Sequence, residues 1–117
     1  MNIIAKSNES LNRVDQYLMI SSPAVKTINS LPDETVIPVS EWVIYDDVKS
    51  TGESVEILSI LTPAKEAYAC QSNTFKRSFK DIVELMGNEK FSIKKIGGIT
   101  KSGRPFINCV LDIGSVA

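Results

Sequence analysis

The sequence predicts a mainly β domain, built as a five-stranded barrel with an N-terminal helical extension. Five runs of β-branched and aromatic residues predict the strands, and one amphipathic segment between the third and fourth runs predicts a helix. The length of 117 residues is that of one domain. This order of strands and helix is that of an OB fold, with a split α+β sheet as the alternative. The extension is assigned to residues 1–32 and the barrel to residues 35–113.

The N-terminal segment, residues 10–30, is predicted to be helical in two pieces. Apolar residues recur there at helical spacing: Leu11, Val14, Leu18 and Met19. Ser22 and Pro23 are typical of an N-cap followed by proline at the first helical position, which predicts a second helix to residue 28. The single apolar face of this segment predicts that it packs on the barrel and mediates self-association.

The strands of the barrel are predicted from their alternation and their residue types. They cover residues 35–45, 54–61, 67–70, 91–99 and 106–113. Residues rich in Asp, Gly, Ser, Thr and Pro separate the first strand from the second, the second from the third and the fourth from the fifth, which is typical of turns.

The segment between the third and fourth strands carries the strongest helical pattern in the chain. Its apolar residues form one stripe: Phe75, Phe79, Ile82, Val83 and Met86. Ser72 or Asn73 is suited to cap its N-terminus, and Gly87 is suited to end it. The stripe predicts that this helix packs on the barrel core.

The composition removes several classes of function. The chain has no histidine, which is the usual general base and the commonest metal ligand. Cys70 and Cys109 lie in apolar runs rather than in a CxxC pair, so we expect reduced core residues. No run approaches the roughly 20 apolar residues of a membrane span. We therefore expect a cytoplasmic protein that is not an enzyme and that holds no cofactor or metal.

The charge is distributed unevenly although the net charge is only −1. Residues 31–62 hold seven acidic residues and one basic residue, whereas residues 63–117 hold nine basic and five acidic ones. Between Lys90 and Arg104 there are five basic residues and no acidic one. A local patch of one sign attracts a polyanion even when the total charge is close to zero.

The predicted binding site lies where the fourth strand turns into the fifth. Lys94, Lys95, Lys101 and Arg104 are the predicted phosphate ligands. Phe106 follows them and is a candidate to stack on a base. The alternative is a hairpin whose charges only keep the protein soluble.

Three further aromatic residues are candidates for base stacking. Trp42 and Tyr45 lie on opposite faces of the first strand, so one ring is expected in the core and the other outside, and the sequence leaves open which. Tyr68 on the short third strand is the other candidate. For each ring, packing in the core is the alternative role.

Several segments together resemble small single-stranded DNA-binding proteins of phages and mobile elements of Gram-positive bacteria. They are residues 42–47, 52–53, 56–63, 67–69, 72–75 and 100–109. The resemblance extends over residues 18–112 and implies an OB-like fold that coats exposed strands during replication or recombination, in the host cytoplasm if the gene belongs to a phage. The expected function is sequence-independent binding of single-stranded DNA. The alternative is a protein-interaction module that recruits or regulates a replication or recombination protein.

Overall fold

A computed structural model describes residues 2–87 and 89–116. Its two α-helices are α1 (Arg13–Ile20) and α2 (Asn73–Met86), and short 3₁₀ helices cover Ile28–Ser30 and Ile113–Val116. The strands are β1 (Asn2–Lys6), β2 (Lys26–Thr27), β3 (Val36–Val39), β4 (Glu41–Val48), β5 (Ser54–Leu61), β6 (Ala67–Cys70), β7 (Phe91–Ile99) and β8 (Pro105–Leu111). The mainly β composition predicted from the sequence is thereby confirmed. Within the described residues, neither α-helix is long and apolar enough to cross a membrane.

Local capping groups define both ends of α2. The side chain of Ser72 accepts a hydrogen bond from the backbone N–H of Phe75 at 3.2 Å, which satisfies one of the free amides of the first turn. At the other end, Gly87 adopts a φ of 61°, which glycine tolerates better than any other residue. This helix therefore begins and ends where the sequence predicts.

The chain is divided into two compact units. The first unit comprises residues 1–28 and 40–71, and the second comprises residues 29–39 and 72–117. Each unit consists of one β-sheet and one α-helix, and each is described by itself below.

The first unit is a five-stranded sheet with α1 on one face. The strand order is β1-β4-β5-β6-β2, in which only the β2–β6 pair is parallel. Met19 of α1 packs into one apolar cluster with Val43 and Tyr45 of β4. Lys65, in the turn between β5 and β6, forms an ion pair with Asp15 of α1 at 3.0 Å. The helix is thus held on the sheet by apolar burial and by one partly exposed ion pair.

The second unit is a three-stranded antiparallel sheet in the order β3-β7-β8. The α2 helix packs against β8, where the thiol of Cys109 donates to the carbonyl oxygen of Phe75 at 3.7 Å. Side chains on the Cys109 face of the sheet are buried, as Ile93 illustrates. Three apolar residues on the opposite face are exposed: Val36, Phe106 and Val110.

The N-terminal segment differs from the prediction. Only Arg13–Ile20 forms an α-helix, and it is flanked by strands that the sequence analysis missed. The predicted second helix over residues 23–28 is wrong. The side chain of Ser22 accepts a hydrogen bond from the N–H of Ala24 in a turn, and Lys26 of β2 is then paired with Tyr68 of β6 in a parallel ladder. Pairing with a strand far along the chain outweighs the local helix-start signal here.

The predicted first strand is also divided. Ser40 separates β3, which pairs with β7 in the second unit, from β4, which pairs with β5 in the first unit. In the part of the chain that the structure describes, the ladders form two sheets rather than one closed barrel.

Candidate nucleic-acid interface

The turn between β7 and β8 has a well-defined backbone. The N–H of Thr100 donates to the carbonyl of Arg104 at 2.8 Å, and the Thr100 carbonyl accepts from the N–H of Gly103 at 2.9 Å. Gly103 has a φ of 86°, a conformation that favours glycine. The side chains of Lys101 and Arg104 are exposed on this turn. Two cations are therefore presented to solvent by a backbone that is already folded.

The ring of Phe106 lies against the backbone of β7. Phe106 is directly opposite Gly98 in the β7–β8 ladder, and a Cβ atom placed on Gly98 would lie only 2.6 Å from the Cζ atom of Phe106. Glycine at position 98 thus leaves the space that the ring occupies. Phe106 remains 37% exposed, so part of its ring is accessible to a base.

Lys94 lies on the same face of β7 as the Phe106 ring. It is paired with Val110 of β8, four residues before Gly98, and its side chain is partly exposed. At about 3.4 Å per residue, Lys94 and Gly98 are about 14 Å apart along the strand. A cation, an aromatic ring and the cationic turn therefore follow one another along the same hairpin.

Lys95 does not belong to this set of accessible cations. Its side chain is only 6% exposed, and its Nζ donates to the carbonyl of Leu31 at 2.8 Å and to Oδ1 of Asp33 at 3.0 Å. The alternation of a strand places successive side chains on opposite faces, so Lys95 points to the buried face while Lys94 points away from it. Lys95 therefore fixes the segment before β3 and is not available to a phosphate.

Tyr45 is likewise unavailable for stacking on a base. It is 6% exposed and belongs to the apolar cluster beneath α1. Burial raises the pKa of its phenol, and the negative charge of Asp47 raises it further. The strand alternation alone left the exposed ring undecided, and the position of α1 decides it.

Trp42 and Tyr68 lie on the face of the first unit's sheet opposite to Tyr45. They are aligned across three strands, because Ile60 of β5 pairs with both, and both are partly buried. With neighbouring strands about 4.8 Å apart, the two residues are separated by about 10 Å. The structure therefore brings Trp42 and Tyr68 together in the sheet of the first unit.

Polar groups already surround the Tyr68 ring. Its hydroxyl donates to Oε2 of Glu66 at 2.8 Å, and Nζ of Lys26 lies 5.7 Å from the ring centroid. The bond to Glu66 is the main cause that raises the pKa of Tyr68, and the same bond, with Lys26, lowers the pKa of Glu66. A base that stacks on Tyr68 must either displace the ammonium group of Lys26 or stack on the ring while Lys26 stays beside it.

The sequence analysis missed the role of the two adjacent glycines of β7. Glycine inside a strand is a signal for a close approach of other groups to the backbone. Here Gly98 accommodates Phe106, and Gly97 accommodates the carboxylate of Asp33, whose Oδ1 would lie 2.7 Å from a Cβ at that position. The signal was present in the sequence, but the groups that approach come from other elements.

Among the residues with described positions, no three His, Cys, Asp or Glu side chains gather as metal ligands. Comparison of the chain with protein-family models, with curated proteins and with solved structures gives no match. The function must therefore be argued from the residues of the hairpin themselves.

Proposed function

We propose that this protein binds single-stranded DNA independently of sequence and that the β7–β8 hairpin is its main contact. The observation that carries the proposal is the exposed Phe106 ring, which lies over Gly98 on the same hairpin as the accessible cations of Lys94, Lys101 and Arg104. Single-stranded DNA is bound by cations that contact its phosphates and by aromatic rings on which its bases stack.

The strand pairing supports an OB-like fold as part of this proposal. If β3 and β4 are counted as one strand that bends at Ser40, the pairs β6–β5, β5–β4, β3–β7 and β7–β8 link the strands in the order three-two-one-four-five. The α2 helix then lies in the connection between the third and fourth strands. In OB folds, the loop between the fourth and fifth strands contacts the ligand, and that loop corresponds here to the cationic turn.

The resemblance to phage and mobile-element proteins supports a biological role within the same proposal. The protein would coat single strands that are exposed during replication or recombination. Sequence-independent contacts to phosphates and base faces suit that role, because every exposed strand offers both.

The direct test is fluorescence anisotropy of labelled oligo-dT with the full-length protein at several salt concentrations. We expect binding to weaken as salt rises, with a slope of log K against log[salt] of about −2 for three phosphate contacts. A duplex of equal length is the control and should bind more weakly. Affinity that is indifferent to salt, or equal for strand and duplex, contradicts the proposal.

A paired set of variants tests the hairpin itself. The double variant Lys101→Ala/Arg104→Ala should bind oligo-dT about 20-fold more weakly near 0.1 M salt, because two phosphate contacts are lost. Arg13→Ala/Lys49→Ala removes the same charge from exposed positions of the first unit and is the matched control. Both variants should retain the wild-type melting temperature. Equal losses of affinity in the two variants would exclude the hairpin as the main contact.

A second candidate function, recruitment of a replication or recombination protein, is favoured by the acidic β4–β5 hairpin. Asp46 pairs directly with Glu56 across the two strands, and Asp47 is exposed beside them. Acidic side chains gathered on one hairpin give a local negative potential, which attracts a basic partner. A folded protein that leaves oligo-dT unbound, but captures a replicative helicase or polymerase and loses it with Asp47→Lys, would favour this function.

A further inference from the structure

One ion pair holds the carboxylate of Asp33 against the strand β7, and two backbone hydrogen bonds hold the residues that follow Asp33. Lys95 donates from its side chain to Oδ1 of Asp33 at 3.0 Å, while its backbone N–H donates to Thr35 and its carbonyl accepts from Glu34. Despite these bonds, the side chain of Asp33 is 63% exposed. The carboxylate is therefore fixed in position and still accessible to a ligand.

The turn that carries Asp33 contains an unusual backbone conformation. The carbonyl of Pro32 accepts from the N–H of Thr35 at 3.3 Å, which places Asp33 and Glu34 at the two central positions of a β-turn. Glu34 adopts a φ of 71°, in the left-handed region that glycine favours and other residues adopt less often. Such conformations persist where the surroundings impose them, and they cluster at ligand sites.

Beside Asp33, the edge of β7 carries a main-chain N–H and a main-chain carbonyl that do not face a paired strand. The N–H and carbonyl of Lys95 point toward β3, as their bonds to Thr35 and Glu34 show. Alternation then directs the N–H and carbonyl of Gly97 to the same side. The β3 pairing ends before this point in the described part of the chain. Gly97 therefore offers one donor and one acceptor at an open edge.

A pocket of about 320 Å³ surrounds this edge of β7. Asp33, Gly97 and Phe106 line it, together with Asn29, a residue whose side chain is an amide. Its volume lies at the lower end of the range for small-ligand sites. The pocket thus combines a fixed carboxylate, main-chain hydrogen-bonding groups, an amide and part of an aromatic ring, which are the groups that recognise a nucleobase.

We propose that this pocket accepts one base of the bound strand and that it prefers guanine; the inference rests on the proposed binding of single-stranded DNA. An ionised carboxylate only accepts hydrogen bonds. The Watson–Crick edge of guanine presents two adjacent donors, N1–H and the amino group at C2, whereas thymine presents one N–H between two carbonyl oxygens. Adenine and cytosine each present an amino donor beside a ring acceptor. Guanine is therefore the base whose edge best matches Asp33.

The charge of the pocket is compatible with a nearby phosphate backbone. The ammonium group of Lys95 lies 3.0 Å from Oδ1 of Asp33 and balances its charge. A bond from a neutral base to an ionised carboxylate is stronger than one between neutral groups. The phosphate contacts thus supply binding that does not depend on sequence, and the pocket adds a preference for guanine at one position of the strand.

The test compares three strands of about 16 nucleotides, the upper end of the site size of one OB fold. They are oligo-dT, alternating guanine and thymine, and alternating inosine and thymine, where inosine lacks only the amino group at C2. By anisotropy at one salt concentration, we expect the guanine strand to bind at least about fivefold more tightly than oligo-dT. The inosine strand should lose most of that gain.

Two single variants separate the carboxylate of Asp33 from a general effect of charge. Asp33→Asn and Glu34→Gln each remove one negative charge from the same turn, but only Asp33 lines the pocket. We expect Asp33→Asn to bind all three strands equally and Glu34→Gln to keep the guanine preference. If Asp33→Asn does not fold, the comparison of guanine with inosine in the wild type decides the question.

The outcomes distinguish this inference from the proposed function. Equal wild-type affinity for the three strands overturns the guanine pocket and leaves the sequence-independent binding intact. A guanine preference that survives Asp33→Asn in a folded protein also overturns the role of Asp33. Failure to bind any strand, oligo-dT included, overturns both proposals.

Discussion

The two units share a plan of one helix on one sheet, yet Tyr45 on a strand of the first unit is buried whereas Phe106 on a strand of the second is exposed. In the first unit, α1 covers the face of β4 that carries Tyr45, and the ring is buried with Met19. In the second unit, α2 packs against β8 on the Cys109 side, and Phe106 on the other face remains exposed.

This difference shows that the exposure of a ring on a strand depends on which face the helix covers. Tyr45 and Phe106 both lie on long strands with alternating faces, and nothing in their immediate neighbours separates them. A large aromatic side chain gains most by burial when a partner surface is available. The first unit provides that surface over Tyr45, whereas the second unit leaves the Phe106 ring partly exposed.

The largest expected effect comes from truncating Met19, the α1 side chain in the same apolar cluster as Tyr45. Met19→Ala should lower the free energy of unfolding by about 2–5 kcal/mol, because Met19 is fully buried and its removal leaves a cavity. Leu85→Ala in α2 is the matched control, since Leu85 is 86% exposed and its loss should change stability by at most about 0.5 kcal/mol. Urea unfolding measures both, and equal effects would contradict the contrast between buried and exposed helix faces.

A smaller effect is expected when the exposed ring is removed. Phe106→Ala should weaken binding to oligo-dT by about 1–3 kcal/mol, because one base loses its stacking contact. Replacing the buried ring conservatively, in Tyr45→Phe, should leave the affinity unchanged. Anisotropy at fixed salt provides both values, and an unchanged affinity in Phe106→Ala would contradict the stacking role of that ring.

The smallest effect is a dependence of stability on alkaline pH. Burial raises the pKa of Tyr45 above 10.0, so the neutral phenol is favoured in the folded state. Its contribution to stability is complete below pH 10 and is lost as the pH rises through the raised pKa. Tyr45→Phe lacks this ionisation, so it should lose less stability than the wild type between pH 9 and pH 11. Urea unfolding at the two pH values provides the comparison, and equal losses would indicate that Tyr45 is solvated.

Features that depend on neighbours along the chain were predictable. The helix α2 begins after Ser72 and ends at Gly87 because capping groups act within a few residues of the helix end. The strands β5, β6 and β7 have their predicted bounds, whereas β8 begins one residue and ends two residues before its predicted bounds; the basic turn with Lys101 and Arg104 is exposed as expected. Strand alternation and turn composition are properties of short segments, so they can be recognised without the fold.

Other features required contacts between residues far apart in the chain. Pairing of β2 with β6 replaced the predicted second helix, and pairing of β1 with β4 added a strand at the N-terminus, because backbone groups gained partners that lie some 40 residues away. Lys94 and Lys95 are identical in type and adjacent, but only the tertiary structure brings Leu31 and Asp33 to Lys95. Burial is a property of what packs on a residue, which is why local patterns identify the hairpin and the fold alone selects which of its cations and rings are accessible.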